Sequence, residues 1–241
     1  MEISEELMNR IVAYKASPAK LESIREVPLL FMVGVTGAGK DTVLTRLAHD
    51  HPDDYQFMVS YTTRQPRSND GVMEQDGVEY YFIDVDTAER MLNLGSYLET
   101  NYYANNIYGT SIDDIALAGR SGKTVIKDVD VNGVDKYMEL GMNLKPIFVI
   151  PPNFEAWQNR LERRYGSNVD PIDMRRRYKT ALEELQLALK HDYYYIVVND
   201  KLDETVKEVH AIAQGKIQER RDPETMRSLQ ELANSISDAL I

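Results

Sequence analysis

Apolar positions along the chain predict alternating strands and helices. The run Leu29–Val33 is continuously apolar and predicts a buried strand, and the pattern after it predicts a helix that ends by His51-Pro52. Further strands are predicted at 57–61, 79–83, 96–101, 124–128, 145–150 and 193–198, with helical patterns between most of them. Because strands alternate with helices, an α/β fold with a mainly parallel sheet and flanking helices is expected.

Other segments depart from this alternation. Residues 60–110 are rich in short strands and turns and predict an inserted small lobe, whereas residues 153–190 are helical. Residues 3–25 predict one or two short helices broken near Ser17-Pro18, and a last helix is predicted from an Asp222 N-cap with Pro223 in its first turn. The predicted organisation is a helical extension at 1–28, a core domain at 29–215 and a second helical extension at 216–241.

Composition narrows the classes of function. The chain has 241 residues and no cysteine, so a disulfide framework and a thiolate metal site are excluded; its four histidines show no metal-ligand spacing, and a structural metal is not expected. A formal net charge of −11 argues against nucleic acid and anionic membranes as partners. The acidic start and the short apolar runs predict a soluble, cytoplasmic protein.

Arginines are concentrated in three places in this acidic chain. Such basic islands favour a small anionic ligand, and the alternative is that each is a solvated loop or helix face. The islands are Arg64 with Arg67, Arg160 with Arg163 and Arg164, and Arg175 with Arg176 and Arg177.

A glycine-rich turn follows the first buried strand and matches the pattern G-x-x-x-x-G-K through Gly34, Gly39 and Lys40. Backbone N–H groups of such a loop wrap phosphates at a helix N-terminus, while the lysine neutralises charge on the transferring end. The sequence therefore predicts a P-loop that binds ATP. The predicted donor-binding residues are Gly34, Thr36, Gly37, Ala38, Gly39, Lys40, Asp41 and Thr42, with Asn199 added by the resemblance described below.

One position of this loop departs from the pattern. The hydroxyl residue expected after Lys40, which would ligate Mg²⁺, is replaced by Asp41, and the hydroxyl comes one place later at Thr42. Either Thr42 serves as the Mg²⁺ ligand, or Asp41 ligates the metal or repels phosphate.

The chain resembles guanylate kinase, a family of P-loop nucleoside monophosphate kinases, over about residues 29–215. The resemblance rests on a series of motifs that occur in the family's order. After the P-loop these are Ser60-Tyr61-Thr62-Thr63-Arg64-Gln65-Pro66-Arg67, Gly77-Val78-Glu79-Tyr80-Tyr81-Phe82, Glu99, Tyr108-Gly109-Thr110, Asp128 and Asp130 before Gly133, Arg160 to Arg164, and Val198-Asn199-Asp200.

The resemblance implies an acceptor site for GMP or dGMP in the lobe at 60–110. Arg64, Arg67, Tyr80 and Tyr108 match the residues that hold the phosphate of GMP, and guanidinium and phenol groups are suitable anion donors. Guanine offers N1–H and N2–H donors and an O6 acceptor, so its pocket needs a carboxylate and a hydroxyl, whereas adenine would present a lone pair to the carboxylate. The matching carboxylates are Glu99 and Asp130, and the matching hydroxyls are Ser60 and Thr110.

The resemblance also implies a mechanism based on positioning and charge. Lys40 and Mg²⁺ would act on the phosphates of ATP, and Arg160, Arg164 and Arg177 match lid and helix arginines, within about 153–190, that would close over the transferred group. Asp128 ends a predicted strand, where a carboxylate can orient Mg²⁺ or its water. Asp70 falls where the family has a glutamate that supports an arginine.

Two rival functions and one assembly remain open at this point. A guanylate-kinase-like binding module would catalyse nothing, and Asp41 is the main feature that supports this alternative. Loss of a base-reading residue would support a kinase for another phosphorylated small molecule, and no such residue is lost. The apolar stripe of the last helix predicts that the terminal helices pack on each other or form a homodimer.

Overall fold

The elements alternate largely as the apolar pattern predicts, in a computed structural model that describes residues 3–69, 71–166 and 170–241. The strands are β1 Leu29–Val33, β2 Tyr55–Phe57, β3 Ser60–Thr62, β4 Ser68–Asn69, β5 Val72–Met73, β6 Tyr80–Phe82, β7 Tyr97–Tyr103, β8 Asn106–Ser111, β9 Thr124–Asp128, β10 Leu144–Ile150 and β11 Tyr195–Val198. The helices are α1 Glu5–Val12, α2 Pro18–Glu22, α3 Lys40–Asp50, α4 Val85–Asn93, α5 Ile112–Arg120, α6 Val131–Glu139, α7 Phe154–Tyr165, α8 Pro171–Lys190, α9 Leu202–Ala213 and α10 Pro223–Asp238.

The larger sheet has five strands in the order β11-β10-β1-β9-β2. The pairs β1–β10 and β10–β11 are parallel, as expected for strands joined through helices. All five residues of β1 are buried, because a central strand covered on both faces needs continuous apolar character. The α/β, P-loop-type fold class is therefore confirmed.

The smaller sheet has four strands in the order β6-β3-β8-β7, and it is mixed: β3 pairs in parallel with β6 and antiparallel with β8. The single strand predicted at 57–61 is wrong, because the chain leaves the larger sheet at Phe57 and enters the smaller one at Ser60. A two-residue turn at Ala104 and Asn105, both with positive φ, joins β7 to β8.

The chain divides into two compact units. The lobe unit comprises Met1–Val27 and Gln56–Val125, and the P-loop unit comprises Pro28–Tyr55 and Ile126–Ile241. The predicted lobe at 60–110 thus lies in a larger unit that also contains the N-terminal helices. These two helices confirm the predicted break, since Ser17 caps α2 and Pro18 begins it.

The N-terminal helix α1 is part of the core of the lobe unit. Leu7 and Ile11 are buried in one apolar cluster with Tyr97 and Ile107 of the β7–β8 hairpin. The Tyr14 hydroxyl donates to the carbonyl oxygen of Tyr97 at 2.7 Å. Helix α1 therefore supports the strand that carries Glu99.

The C-terminal helix α10 packs on α8, α7 and β11 of its own unit. Its predicted N-cap is confirmed, because the Asp222 carboxylate accepts from the backbone N–H groups of Glu224 and Thr225 at 3.0 Å. The apolar stripe is therefore covered by elements of its own unit, and the homodimer and the packing of the terminal helices on each other stay predictions. The buried stripe residues are Leu229, Leu232, Ala233 and Ile236.

No helix in the described ranges combines the length and the apolar character that a bilayer crossing requires.

Candidate functional site

The P-loop joins β1 to α3 and requires glycine at two positions. Gly34 has φ +137°, and a methyl group there would lie 2.1 Å from the carbonyl oxygen of Val149. Gly39 has φ +93°, and a methyl group there would lie 2.4 Å from Nδ2 of Asn199. Both glycines of the sequence pattern are therefore needed for backbone shape and close packing.

Side chains from α7 and the end of β11 hold the carbonyl groups of this loop. Trp157 is fully buried and its Nε1–H donates to the carbonyl oxygen of Thr36 at 2.8 Å. Asn199 Nδ2 donates to the carbonyl oxygen of Ala38 at 2.7 Å. The guanidinium of Arg160 donates to the carbonyl oxygens of Ala38 at 3.2 Å and Asn199 at 2.7 Å. Arg160 and Asn199 thus hold the loop through its carbonyl oxygens.

A cavity of about 360 Å³ opens at the N-terminus of α3 and brings most of the predicted donor residues together. Arg164, on α7, faces the same space. The residues that line it are Gly37, Gly39, Lys40, Asp41, Thr42, Arg160, Arg164, Asn199, Asp200 and Leu202.

A second cavity, of about 200 Å³, places carboxylates around Lys40. Lys40 Nζ donates to the carbonyl oxygen of Gly34 at 2.7 Å and lies 4.0 Å from Oδ1 of Asp128. Asp130 and Glu184 line this cavity as well. Glu184, on α8, was not predicted as a site residue, because nothing in an amphipathic helix marks which of its several glutamates points inward.

Two carboxyl groups near Lys40, those of Asp128 and Glu184, have raised pKa values. Burial raises the pKa of Asp128 to about 7, with a further rise from the adjacent Asp41 carboxyl and an opposing effect of Lys40. Burial likewise raises the pKa of Glu184 to about 7, against the opposing effect of Lys40. Asp41, the residue that departs from the P-loop pattern, therefore lies close enough to Asp128 to raise the pKa of that carboxyl.

Arg177 lies on α8 beside a third cavity of about 320 Å³, which Thr36 and Glu184 also line. Its guanidinium stacks over the ring of Tyr165 at 3.8 Å. The buried Nε of Arg177 donates to no atom of the described residues. Its position and its open hydrogen-bonding capacity suit an anion.

In the lobe unit, Arg64 is held by the carboxylate of Glu74. Nη1 and Nη2 of Arg64 donate to the two carboxylate oxygens of Glu74 at 2.7 and 3.0 Å, and both side chains are 8% exposed. Glu74 also accepts from the backbone N–H of Arg67 at 2.8 Å. Glu74 therefore supports this arginine, while Asp70, which the resemblance places at the family's glutamate, lies outside the described residues.

Aromatic and base-reading candidates lie on the same small sheet. Arg64 stands 5.2 Å from the ring centre of Tyr80, whose ring meets that of Tyr108 edge to face. A hydrogen bond with Tyr108 adds to the raised pKa of Arg64 after the larger effect of Glu74.

The hydroxyl of Thr110 donates to the carboxylate of Glu99 at 3.4 Å across the β7–β8 pair. Ser60 stands in register with Tyr80 on the neighbouring strands. The small sheet thus brings together the predicted acceptor residues of the lobe, whereas Asp128 and Asp130 belong to the P-loop unit.

Comparisons with known proteins place the chain in a family. The sequence model of the guanylate kinase family matches residues 27–216. The chain is 31% identical to the guanylate kinase of Schizosaccharomyces pombe, covering 80% of this chain and 93% of the relative. It is 35% identical to the enzyme of Clostridium perfringens strain SM101, covering 76% and 81%.

Two further relatives differ in what they share with the chain. Guanylate kinase 1 of Arabidopsis thaliana is 33% identical over 73% of this chain, which spans 44% of the length of that protein. The crystal structure of guanylate kinase from Anaplasma phagocytophilum has a TM-score of 0.53 at 24% identity, covering 90% of this chain and 96% of that one, and it supports the fold alone. From the family match and the two relatives that it spans almost fully, the chain belongs to the guanylate kinase family.

Proposed function

We propose that the chain transfers the terminal phosphate of ATP to GMP or dGMP, yielding ADP and GDP or dGDP. The observation that carries the proposal is a group of side chains on and next to the small sheet. Arg64 is paired with Glu74 and hydrogen-bonded to Tyr108, and Glu99 is hydrogen-bonded to Thr110. Guanidinium and phenol groups suit a phosphate, while a carboxylate and a hydroxyl suit guanine. The guanylate kinase relatives support the same reaction.

Glu74 makes Arg64 a rigid anion receptor. Both terminal nitrogens of the guanidinium are tied to the carboxylate, and a third contact joins Nη1 to the carbonyl oxygen of Gln65 at 2.8 Å. The orientation of the guanidinium is therefore fixed before ligand arrives, which lowers the entropy lost on binding. These contacts use three of the five N–H groups of the guanidinium and the hydrogen bond with Tyr108 uses a fourth, so one N–H group is left for a phosphate oxygen.

The donor side fits Mg²⁺ through its oxygen ligands. The hydroxyl of Thr42 and the carboxylates of Asp41 and Asp128 lie around Lys40, and Mg²⁺ prefers such hard oxygen donors. We assign Thr42 as the ligand and Asp128 as an outer support. When bound, Mg²⁺ neutralises charge on the phosphates of ATP.

The attacking phosphate oxygen of GMP is already ionised at neutral pH, so the chain needs to supply position and positive charge rather than a strong base. We assign Lys40 to the transferring end of ATP, and Arg164 and Arg177 to the charge that develops during transfer. Arg160 is assigned a positioning role, since its guanidinium already binds one carbonyl oxygen of the loop, that of Ala38, and the carbonyl oxygen of Asn199.

The proposed acceptor is tested by following ADP formation with Mg-ATP and each of GMP, dGMP, AMP, CMP and UMP. We expect turnover with GMP and dGMP that exceeds turnover with AMP by at least about 10³-fold, because adenine leaves the Glu99 carboxylate without a donor. Turnover with none of the five nucleotides would favour a nucleotide-pocket binding module, and turnover with AMP equal to that with GMP would contradict the assignment of Glu99 and Thr110.

The pH dependence of kcat tests the effect of the Asp41 carboxyl on Asp128. We assign Mg²⁺ support to the ionised form of Asp128, whose pKa is about 7, so kcat is expected to fall as pH falls through 7. Asp41→Asn removes the neighbouring negative charge and lowers this pKa. The acid limb of the kcat profile should therefore move down by about one pH unit.

The matched control is Asp203→Asn. Asp203 is an exposed residue of the same unit, and among the described residues its carboxylate pairs with Arg46. Its acid limb should coincide with that of the unmodified chain. An Asp41→Asn limb that stays in place or moves to higher pH would contradict the coupling.

A further inference from the structure

Two histidines distant in sequence meet at the end of α3 that lies farthest from the P-loop. His51 is the C-cap residue of α3, and His210 lies in the last turn of α9. Their rings stack at a centroid distance of 3.9 Å with an interplanar angle of 5°. Spacing along the chain does not reveal this contact, because it is made through the fold.

A carboxylate completes the cluster. Oδ2 of Asp54 lies 3.8 Å from Nδ1 of His51. One ligand atom from each of His51, Asp54 and His210 can be chosen so that all lie within 4.8 Å of one another. Two metal bonds of about 2.1 Å hold their ligand atoms roughly 3 to 3.5 Å apart, so the cluster needs to close by about 1 Å. Coordination requires Asp54, which is 53% exposed, to rotate, and one imidazole to turn out of the parallel stack so that the ion can lie in the plane of both rings.

Tyr55 orients the ring of His210. The Tyr55 hydroxyl lies 2.7 Å from Nδ1 of His210, and this contact leaves Nε2 as the free ring nitrogen. The oxygen of the Tyr55 hydroxyl can accept a hydrogen bond from Nδ1–H of His210. Hydrogen bonding of the distal nitrogen is the arrangement that fixes the tautomer of metal-binding histidines.

We propose that His51, Asp54 and His210 form a binding site for a divalent transition metal ion, represented by Zn²⁺. Two imidazoles and one carboxylate suit Zn²⁺, Co²⁺ or Ni²⁺ rather than Mg²⁺, which prefers oxygen ligands alone. Solvent supplies the remaining ligands at this half-exposed position.

The proposed site is separate from the nucleotide chemistry. The eleven residues of α3 extend about 16 Å from Lys40 to the cluster. An ion bound there would join the end of α3, the following turn and the end of α9, all within the P-loop unit. Its expected effect is on the stability of this unit and not on phosphoryl transfer.

Zn²⁺ binding to the full chain is measured by titration calorimetry in a large excess of Mg²⁺, which occupies sites made of oxygen ligands. We expect one Zn²⁺ per chain, with affinity lowered at least about tenfold by His51→Ala and by His210→Ala. His49→Ala is the matched control, because His49 is 81% exposed, neighbours the same helix end and lies outside the cluster. Asp54→Asn changes an exposed ligand and serves if His210→Ala disturbs folding.

Two further measurements report on the ligands themselves. Co²⁺ should give a visible absorption band that His49→Ala retains and His51→Ala loses, and Tyr55→Phe should weaken binding about tenfold through the orientation of His210. The melting temperature should rise by several degrees at Zn²⁺ concentrations about a hundredfold above Kd. Absence of Zn²⁺ binding, or an equal loss of affinity in His49→Ala and His51→Ala, would overturn the proposal.

Discussion

Replacement of Lys40 by alanine is expected to lower kcat for GMP phosphorylation by about 10³-fold, because the lysine supplies fixed positive charge at the transferring end of ATP. The loss should fall mainly on kcat, since backbone N–H groups of the loop continue to hold the remaining phosphates. The same substitution removes the cation that lies 4.0 Å from Asp128. The measurement is steady-state ADP formation at saturating Mg-ATP and GMP.

Lys201→Ala is the matched control for this experiment. Lys201 belongs to the same unit, is 68% exposed and pairs only with Glu204 among the ion pairs of the described residues. Its kcat should remain within about twofold of the unmodified chain, as is usual for exposed ion pairs. A Lys40→Ala variant that retains more than a tenth of the activity would contradict the role assigned to the loop lysine.

Replacement of Arg64 by alanine is expected to lower kcat/KM for GMP by about 10² to 10³-fold, because a charge-assisted contact with the acceptor phosphate is lost and Glu74 is left unpaired. Since Glu74 is only 8% exposed, its uncompensated charge should also repel the incoming phosphate. The KM for ATP should change little, because Arg64 belongs to the lobe unit. Initial rates with each nucleotide varied in turn separate the two effects.

Arg90→Ala is the control for Arg64→Ala. Arg90 is exposed, lies on α4 of the same unit and donates to the hydroxyl of Thr87. Glu74→Gln keeps the size of the partner and removes its charge, and a smaller loss of about tenfold in kcat/KM is expected because the guanidinium is less firmly held. An equal rise of KM for ATP and GMP in Arg64→Ala would show that the substitution disturbs folding rather than acceptor binding.

The sequence predicts best where one local pattern determines the structure. The continuous apolar run of β1 and the glycines of the P-loop define both a buried strand and a turn, and the structure has both. The Asp222-Pro223 start of α10 is another local signal, since cap and proline act within one turn. Such features depend on neighbouring residues only.

Other features depend on contacts between distant segments, and the sequence does not reveal them. The apolar stretch at 57–61 serves two sheets, and no property of its residues indicates the change at Ser60. The β7–β8 hairpin turns at Ala104 and Asn105 without glycine, so β8 lacked a turn signal. Trp157 and Glu74 became candidate positioning residues only through their partners in the fold.

The packing of α1 shows that the core of the lobe unit extends beyond the region of family similarity. The match to the family begins at residue 27, yet Leu7 and Ile11 fill the cluster beneath the hairpin that carries Glu99. A fragment trimmed to the matched region would expose the faces of Tyr97 and Ile107 to water. In this chain the family match is therefore shorter than the folded lobe, whose hydrophobic interior is completed by residues that precede the match.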